Sequence, residues 1–186
     1  EYEKWLNSPA LSAEEKAELE AIKDDPKEIE SRFYGPLEFG TAGLRGTMYV
    51  GLHNMNIHVI RWATQGFADV IAAEGEEGKQ RGVAICMDCR NHSEEFARAA
   101  AEVCAANGIH VRIFESLRPT PELSFAVREY HCQAGINVTA SHNPKEYNGY
   151  KVYWEDGAQL PPHHADAIAK RLGEIDIFND IKTMDY

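Results

Sequence analysis

A short polar segment, TASHNP at residues 139–144, follows an apolar run and places a hydroxyl, an imidazole and an amide side by side. The apolar run, GINVTA at residues 135–140, predicts a buried strand. Ligands of α/β sheets usually bind beyond the carboxyl ends of the parallel strands, so Ser141 lies where chemistry is expected. The alternative is a plain polar turn, because Ser, Asn and Pro are all turn formers.

Lys151 is a candidate partner for this serine. We predict that Asn148-Gly149 forms a turn and that YKVYW (150–154) returns along the preceding strand, which brings Lys151 toward Ser141. A lysine there could take the serine proton or neutralise a phosphate carried on the hydroxyl, whereas on an exposed edge strand it would only add charge. A Ser/His hydrolase is disfavoured, because neighbouring residues rarely meet as nucleophile and base and no G-x-S-x-G elbow occurs.

Arg45 offers a second cation, within FGTAGLRG at residues 39–46. A glycine-rich backbone can approach a phosphate closely, and a guanidinium binds phosphate through two parallel hydrogen bonds. We predict a loop here that continues into a strand near residues 48–50. The residue types thus favour phosphate binding or transfer.

The surrounding pattern alternates between strands and helices. Three apolar runs predict buried strands at residues 82–87, 109–114 and 135–140, separated by amphipathic helices that begin at Ser93 and near Thr120. Right-handed crossovers then give an α/β fold with a mainly parallel sheet and helices on both faces. The connection into 150–154 is too short for a crossover helix, so this last pairing should be antiparallel and the sheet mixed.

An acidic helical lead-in (residues 1–38) precedes this α/β domain (residues 39–186). It holds 11 of the 30 acidic residues and 5 of the 19 basic ones, and a capping box at Ser12 to Glu15 and an Asp25-Pro26 start predict two short helices. Further on, Asn56 should cap a helix that ends near Glu74. A Gly- and Glu-rich linker follows that helix, and a last helix is expected near residues 163–175.

Composition restricts the partners. The net charge is −11 and no basic run occurs, which argues against nucleic acid. No stretch approaches the ~20 apolar residues of a membrane span and the first residues do not resemble a signal peptide, so we expect no membrane partner and a cytoplasmic location. We interpret the C-x-x-C pair Cys86 and Cys89, like Cys104 and Cys132, as buried reduced thiols, because no second C-x-x-C follows.

Three sequence blocks, in this order, resemble the α-D-phosphohexomutase family, in its phosphoglucomutase/phosphomannomutase and phosphopentomutase branch. They are FGTAGLRG (39–46), MDCRNHS (87–93) and TASHNPKEYNGYK (139–151), and the resemblance covers nearly the whole chain. It implies the fold of the N-terminal domain I. The family's D-G-D-x-D-R metal loop and its later sugar- and phosphate-binding loops are missing from these 186 residues, so we expect the first domain of a larger four-domain enzyme, inactive alone.

The resemblance also implies roles for residues. Ser141 would be the phosphoserine, whose phosphate supplies one oxygen to Mg²⁺, the remaining ligands lying in a missing domain. His142 and Asn143 would shape the loop, Lys151 would act as acid/base and phosphate partner, and Arg45 would contact the transferring group. The phosphosugar substrate would exchange a phosphoryl group between C1 and C6, or C5 of a pentose, with a hexose bisphosphate as intermediate and activator.

Asp88, Arg90 and Ser93 of the second block are interpreted as scaffold around the cleft. Two alternatives to the mutase stay open: a non-catalytic phosphosugar-binding module of the same fold, and a bisphosphate synthase or phosphatase. Glucose, mannose and pentose phosphates all remain possible substrates, because the loops that read the sugar are absent from this sequence.

Overall fold

One five-stranded mixed sheet forms the centre of the molecule, in a computed structural model that describes all 186 residues. The strands are β1 (Leu44–Thr47), β2 (Val83–Met87), β3 (Val111–Ile113), β4 (Ala134–Val138) and β5 (Tyr147–Trp154). Their spatial order is β1-β5-β4-β2-β3. The pairs β2–β3 and β2–β4 are parallel, whereas β5 runs antiparallel to β4 and β1. The prediction of a mixed sheet with an antiparallel return is confirmed.

Helices cover both faces of the sheet, which confirms the predicted α/β class. They are α1 (Tyr2–Leu6), α2 (Ala13–Ala21), α3 (Pro26–Phe33), α4 (Ile57–Ala73), α5 (Glu76–Arg81), α6 (Ser93–Ala106), α7 (Thr120–Glu129) and α8 (Pro162–Leu172). Helices α4 and α6 pack together on one face, with α8 against α4, and α7 packs on the other. None of the eight helices combines the length and the apolar character that a membrane crossing requires.

The alternation of side chains along the strands divides the core in two. Along β4, Ala134, Ile136 and Val138 point into the larger apolar cluster, which α4 and α6 share. Gly135 points to the opposite face, where a Cβ atom would lie only 2.7 Å from Cγ2 of Val127 on α7. The glycine therefore lets α7 pack close to the sheet.

The acidic lead-in shares the larger core. Trp5, Leu19 and Phe33 are buried in the same cluster as the sheet residues. The indole of Trp5 is fully buried and makes edge-to-face contacts with Phe33, His58 and Phe178 at centroid distances of 5.8, 5.7 and 5.1 Å. Such contacts add to the burial of a large apolar surface, so the lead-in is joined to the domain by its aromatic side chains.

The strand predicted near residues 48–50 is wrong in position. Strand β1 begins at Leu44 and ends at Thr47, and residues 48–50 form a bend. Pairing of β1 with β5 begins before the predicted position because Gly43, at φ +74°, passes very close to β5. A Cβ atom on Gly43 would lie 1.8 Å from the Tyr150 carbonyl oxygen. Arg45 consequently lies on a strand rather than in a loop.

The turn predicted at Asn148-Gly149 is also wrong, because both residues lie within β5. The chain reverses earlier, where the Asn143 N–H donates to the Ala140 carbonyl and the Tyr147 N–H donates to the Pro144 carbonyl. Asn148 is fully buried. Burial in the sheet overrides the turn preference of an Asn-Gly pair.

The structure differs from the predicted elements in smaller ways elsewhere along the chain. Residues 76–81 of the predicted linker form α5, the last helix ends at Leu172, and α1 was not predicted. The sequence Thr120-Pro121-Glu122 predicts Thr120 as the N-cap of α7, but Thr120 is the first residue of that helix and its hydroxyl accepts a hydrogen bond from Asn137. All four cysteines are free, but Cys89 is exposed, so its interpretation as a buried thiol is wrong: it lies beyond the end of β2.

We predict that Trp5→Ala lowers the free energy of unfolding by about 3–5 kcal/mol, because it leaves a cavity among the aromatic rings that join the lead-in to the core. Urea unfolding followed by circular dichroism measures the change. Glu30→Ala, at an exposed position on α3, is the control and should change stability by less than about 0.5 kcal/mol. A Trp5 variant as stable as this control would show that the lead-in does not stabilise the domain.

Candidate active site

The strand register brings Arg45 and Lys151 to one corner of the sheet. Arg45 of β1 lies opposite Gly149 of β5, and the Thr139 N–H donates to the Gly149 carbonyl at 3.0 Å. Because successive side chains alternate, Arg45 and Lys151 point to the face that α7 covers, on neighbouring strands. Lys151 lies directly opposite Asn137 on β4.

Ser141 lies at the exposed tip of the loop that follows β4. Its backbone φ of +58° is in the left-handed region, which is unfavourable for a non-glycine residue and persists only where the surroundings impose it. Its N–H donates to the Thr139 hydroxyl at 3.0 Å. The Ser141 Oγ is 3.5 Å from Nδ1 of His142, at the long limit of a hydrogen bond, so this geometry does not favour a Ser/His nucleophile pair.

Arg90 holds the backbone of this loop. Its guanidinium donates to four carbonyl oxygens, those of Ser141 at 2.9 Å, Asn143 at 2.7 Å, Pro144 at 2.9 Å and Tyr147 at 3.0 Å. The Arg90 side chain is only 13% exposed. One cation therefore fixes the direction of the chain on both sides of Ser141, and we call this set of four hydrogen bonds the Arg90 clamp.

A polar chain from the second sequence block supports the clamp. The Asp88 carboxylate lies 3.3 Å from Nε of Arg90 and accepts a hydrogen bond from the Ser93 hydroxyl at 2.8 Å. Asn148 donates to the Ser93 Oγ at 3.0 Å and to the Asn91 carbonyl at 3.0 Å. Asp88, Arg90 and Ser93 thus lie together beneath the serine loop, as a scaffold would.

Arg45 contacts the same loop from the other side. One of its terminal N–H groups donates to the Asn143 side-chain oxygen at 2.9 Å, and its other N–H groups make no hydrogen bond within the chain. Asn143 is therefore held at its carbonyl by Arg90 and at its side chain by Arg45. The remaining Arg45 donors could bind an anion at the loop tip.

Lys151 is half-buried and makes no side-chain hydrogen bond. Burial lowers the pKa of its amine, the like charge of Arg45 lowers the pKa further, and Asp88 partly opposes both effects. A lysine whose pKa is lowered can exchange a proton more readily near neutral pH, which suits an acid/base role.

A large cavity lies elsewhere in the molecule and does not coincide with this corner. It has a volume of about 530 Å³ and is lined by the first turns of α2, α4 and α6 and by the segments that precede α2 and α4, with Leu11, Met55 and Phe96 among the lining residues. The serine loop instead lies on open surface. No cluster of three or more His, Cys, Asp or Glu side chains is arranged to hold a metal ion.

Comparison with known proteins agrees with this fold. The model of the phosphoglucomutase/phosphomannomutase α/β/α domain I matches residues 36–177. Human phosphopentomutase is 40% identical over 180 residues, an alignment that covers 91% of this chain and 29% of the relative. The phosphoglucomutase of Staphylococcus aureus strain MRSA252 is 40% identical over 154 residues, which cover 82% of this chain and 27% of the relative.

A solved structure described as a phosphomannomutase of Thermus thermophilus superposes with a TM-score of 0.69 at 28% identity, covering 81% of this chain and 32% of that one. The chain therefore belongs to the phosphoglucomutase/phosphomannomutase family and comprises its α/β/α domain I. It spans about three-tenths of the length of the curated relatives that it matches.

The Arg90 clamp was not predicted from the sequence. The D-x-R-x-x-S spacing indicated a scaffold, but not that the arginine would bind the serine loop. The clamp joins residues 51–57 positions apart, and only the pairing of β2 with β4 and of β4 with β5 brings them together.

We predict that Arg90→Lys increases amide hydrogen exchange at Ser141, Asn143 and Tyr147 by about tenfold or more. A lysine has three donors on one nitrogen and cannot span four carbonyls, and a loss of about 1.4 kcal/mol in loop stability corresponds to a tenfold faster opening. Exchange followed by mass spectrometry or NMR measures it.

Arg98→Lys is the matched control, since Arg98 lies on α6 and pairs only with Glu94 and Tyr186 on the surface. It should leave exchange in the loop unchanged. Equal exchange in the Arg90 variant and the wild type would show that the loop holds its conformation without the clamp.

Proposed function

We propose that this chain is the phosphoryl-carrying domain of a phosphosugar mutase, an intramolecular phosphotransferase in which Ser141 carries the phosphoryl group. The natural protein would move a phosphoryl group between the C1 and C6 hydroxyls of a hexose, or C1 and C5 of a pentose, through a bisphosphate intermediate. The observation that supports this most directly is the exposed Ser141 at the tip of a loop that Arg45 contacts through Asn143, with Lys151 on the strand next to the one that the loop follows.

The transfer needs position and charge rather than a complex set of catalytic groups, because phosphoryl transfer passes through a loose transition state. The sugar oxygen bonds to phosphorus as the bond from phosphorus to the Ser141 Oγ breaks. Lys151 donates a proton to the leaving Oγ, the sugar hydroxyl releases its proton to solvent, and Arg45 binds the transferring oxygens. On the return step the Ser141 Oγ bonds to phosphorus as the bond from phosphorus to the second sugar oxygen breaks; Lys151 takes the proton back from Ser141, and the departing sugar oxygen takes a proton from solvent.

His142 and Asn143 shape the loop in this proposal. The hydrogen bond from Arg45 to the Asn143 side chain supports such a role. It couples the phosphate-binding cation to the loop that presents the serine.

This chain would supply only one part of a Mg²⁺ site. A phosphate on Ser141 would offer one of the hard oxygen ligands that Mg²⁺ prefers. The chain has no cluster of three acidic, imidazole or thiol side chains at this site, so its residues do not fit a complete metal site and we derive no step through the metal. The other ligands would come from outside these 186 residues.

We predict that the natural full-length protein gains one phosphoryl group on Ser141 when it is exposed to a hexose bisphosphate such as glucose 1,6-bisphosphate. Phosphosite mapping by mass spectrometry locates the group. Ser141→Ala should prevent the modification and abolish mutase turnover while the fold stays intact, because φ +58° is no harder for alanine than for serine. Ser116→Ala, in another exposed loop, should behave like the wild type.

An unmodified Ser141 in protein that demonstrably binds the sugar phosphate would contradict the mutase and favour the binding module. A serine that is phosphorylated but returns its phosphate only to water or to a new acceptor would favour the phosphatase or synthase. Parallel assays with glucose, mannose and pentose 1-phosphates would identify the sugar, which relatives named for different substrates leave open.

We predict that Lys151→Met lowers kcat by on the order of a hundredfold or more, the usual contribution of a general acid or base. Methionine keeps the length of the side chain and removes the proton. Steady-state kinetics on the full-length protein measures kcat and KM separately. An unchanged kcat would reduce Lys151 to a surface charge, and a change confined to KM would assign it to substrate binding alone.

A further inference from the structure

Three side chains form a row across the centre of the sheet, beneath the first turn of α7. Cys86 of β2 lies opposite Asn137 of β4, and Asn137 lies opposite Lys151 of β5. Alternation places all three on the face that α7 covers. Only Lys151, at one end of the row, belongs to the site described above.

The amide of Asn137 in the middle of this row is incompletely satisfied. The residue is 1% exposed, and its Nδ2 donates to the Thr120 hydroxyl at 2.7 Å. Its side-chain carbonyl oxygen is buried and has no hydrogen-bond partner. Buried polar atoms without a partner are rare and cost stability, so this acceptor calls for an explanation.

Two neighbouring side chains could donate to this oxygen. The Cys86 thiol keeps its proton, because burial raises its pKa to about 12, but a thiol is a weak donor. Lys151 carries three N–H donors on a flexible stem, and side chains directly opposite on paired strands have Cβ atoms only about 4.5–5.5 Å apart. Lys151 is therefore the stronger candidate.

We propose that Asn137 is a positioning residue for Lys151: the ammonium, which makes no hydrogen bond in the conformation described above, can turn about its side-chain bonds and donate to the unpartnered Asn137 side-chain oxygen on the neighbouring strand. The hydrogen bond to Thr120 fixes the amide so that its carbonyl stays available. Lys151 then has two alternative partners, the buried neutral oxygen of Asn137 and Ser141 in the loop that follows β4. The contact with Ser141 rests on the proposed function, whereas the contact with Asn137 does not.

A neutral acceptor suits a lysine that must move. A carboxylate in its place would form an ion pair in a partly buried site and hold the ammonium firmly. An amide oxygen favours the charged amine more weakly. Among charged neighbours, Arg45 of β1 opposes the ammonium and Asp88, which follows β2, favours it, and neither belongs to the row.

The test is an NMR titration of the Lys151 side-chain amine in this chain, without any ligand. In Asn137→Leu, which keeps the branched shape of the side chain and removes the acceptor, we expect the pKa of Lys151 to fall by about half a unit to one unit, and one unit is a tenfold change in the protonation equilibrium. In Asn137→Asp we expect it to rise by about one unit or more. Asn137→Ser, whose side chain is too short to reach Lys151, provides a second loss of the acceptor should the leucine variant fold poorly.

Cys86→Ala is the matched control at the other end of the row and should leave the Lys151 pKa unchanged. An unchanged pKa in every folded Asn137 variant would overturn the proposal. So would a shift in Cys86→Ala as large as that in Asn137→Leu, because the row would then act through packing rather than through the acceptor.

Kinetics on the natural full-length protein separates this proposal from the proposed function. Lys151 must be protonated to act as an acid, so activity is lost as pH rises through its pKa. In the plot of kcat against pH, Asn137→Leu should shift the fall at high pH to lower pH, by the same amount as the change in the Lys151 pKa that the titration gives. A shifted pKa in protein without mutase turnover would retain the Asn137–Lys151 contact and reject the mutase role.

Discussion

The hydrogen bonds from Arg90 to four backbone carbonyls are the interaction on which the site depends. A loop of Ser, His, Asn and Pro has many accessible conformations, and Ser141 adopts one that is unfavourable for its residue type. Hydrogen bonds to a charged donor contribute more than neutral ones, about 1.5–3 kcal/mol each in favourable cases, and four on one guanidinium can offset that strain. Asp88 balances the charge that the clamp buries.

The strand order determines which side chains meet this loop. Strand β5 lies between β1 and β4, so Arg45 and Asn143 come into contact although they are 98 positions apart in the sequence. A register shift of one residue between β1 and β5 would turn Arg45 to the opposite face, into the apolar core. The close approach of Gly43 to the Tyr150 carbonyl leaves no space for a side chain there and so restricts this register.

Much of the fold could be predicted from the sequence, because the strand and helix patterns of an α/β domain are local and apolar. The prediction failed where local preference and burial disagree. Asn148-Gly149 is typical of a hairpin turn, yet the Asn148 amide is buried against Ser93 and the Asn91 carbonyl. The clamp itself was not predictable from spacing alone, because Arg90 binds backbone carbonyls, which every residue has, and only the three-dimensional path selects them.

The cations of the site divide into two kinds, which explains how a chain of net charge −11 can present the phosphate-binding corner that we propose. Arg90 is satisfied by carbonyl oxygens and by Asp88, so its charge contributes to the structure of the loop rather than to ligand binding. Arg45, in contact with the loop, and Lys151, on β5, keep unpaired donors; burial lowers the pKa of Lys151, and repulsion from Arg45 lowers it further. An arriving phosphate relieves that repulsion, so the two cations should favour a dianionic ligand over a neutral one even though the domain as a whole repels anions.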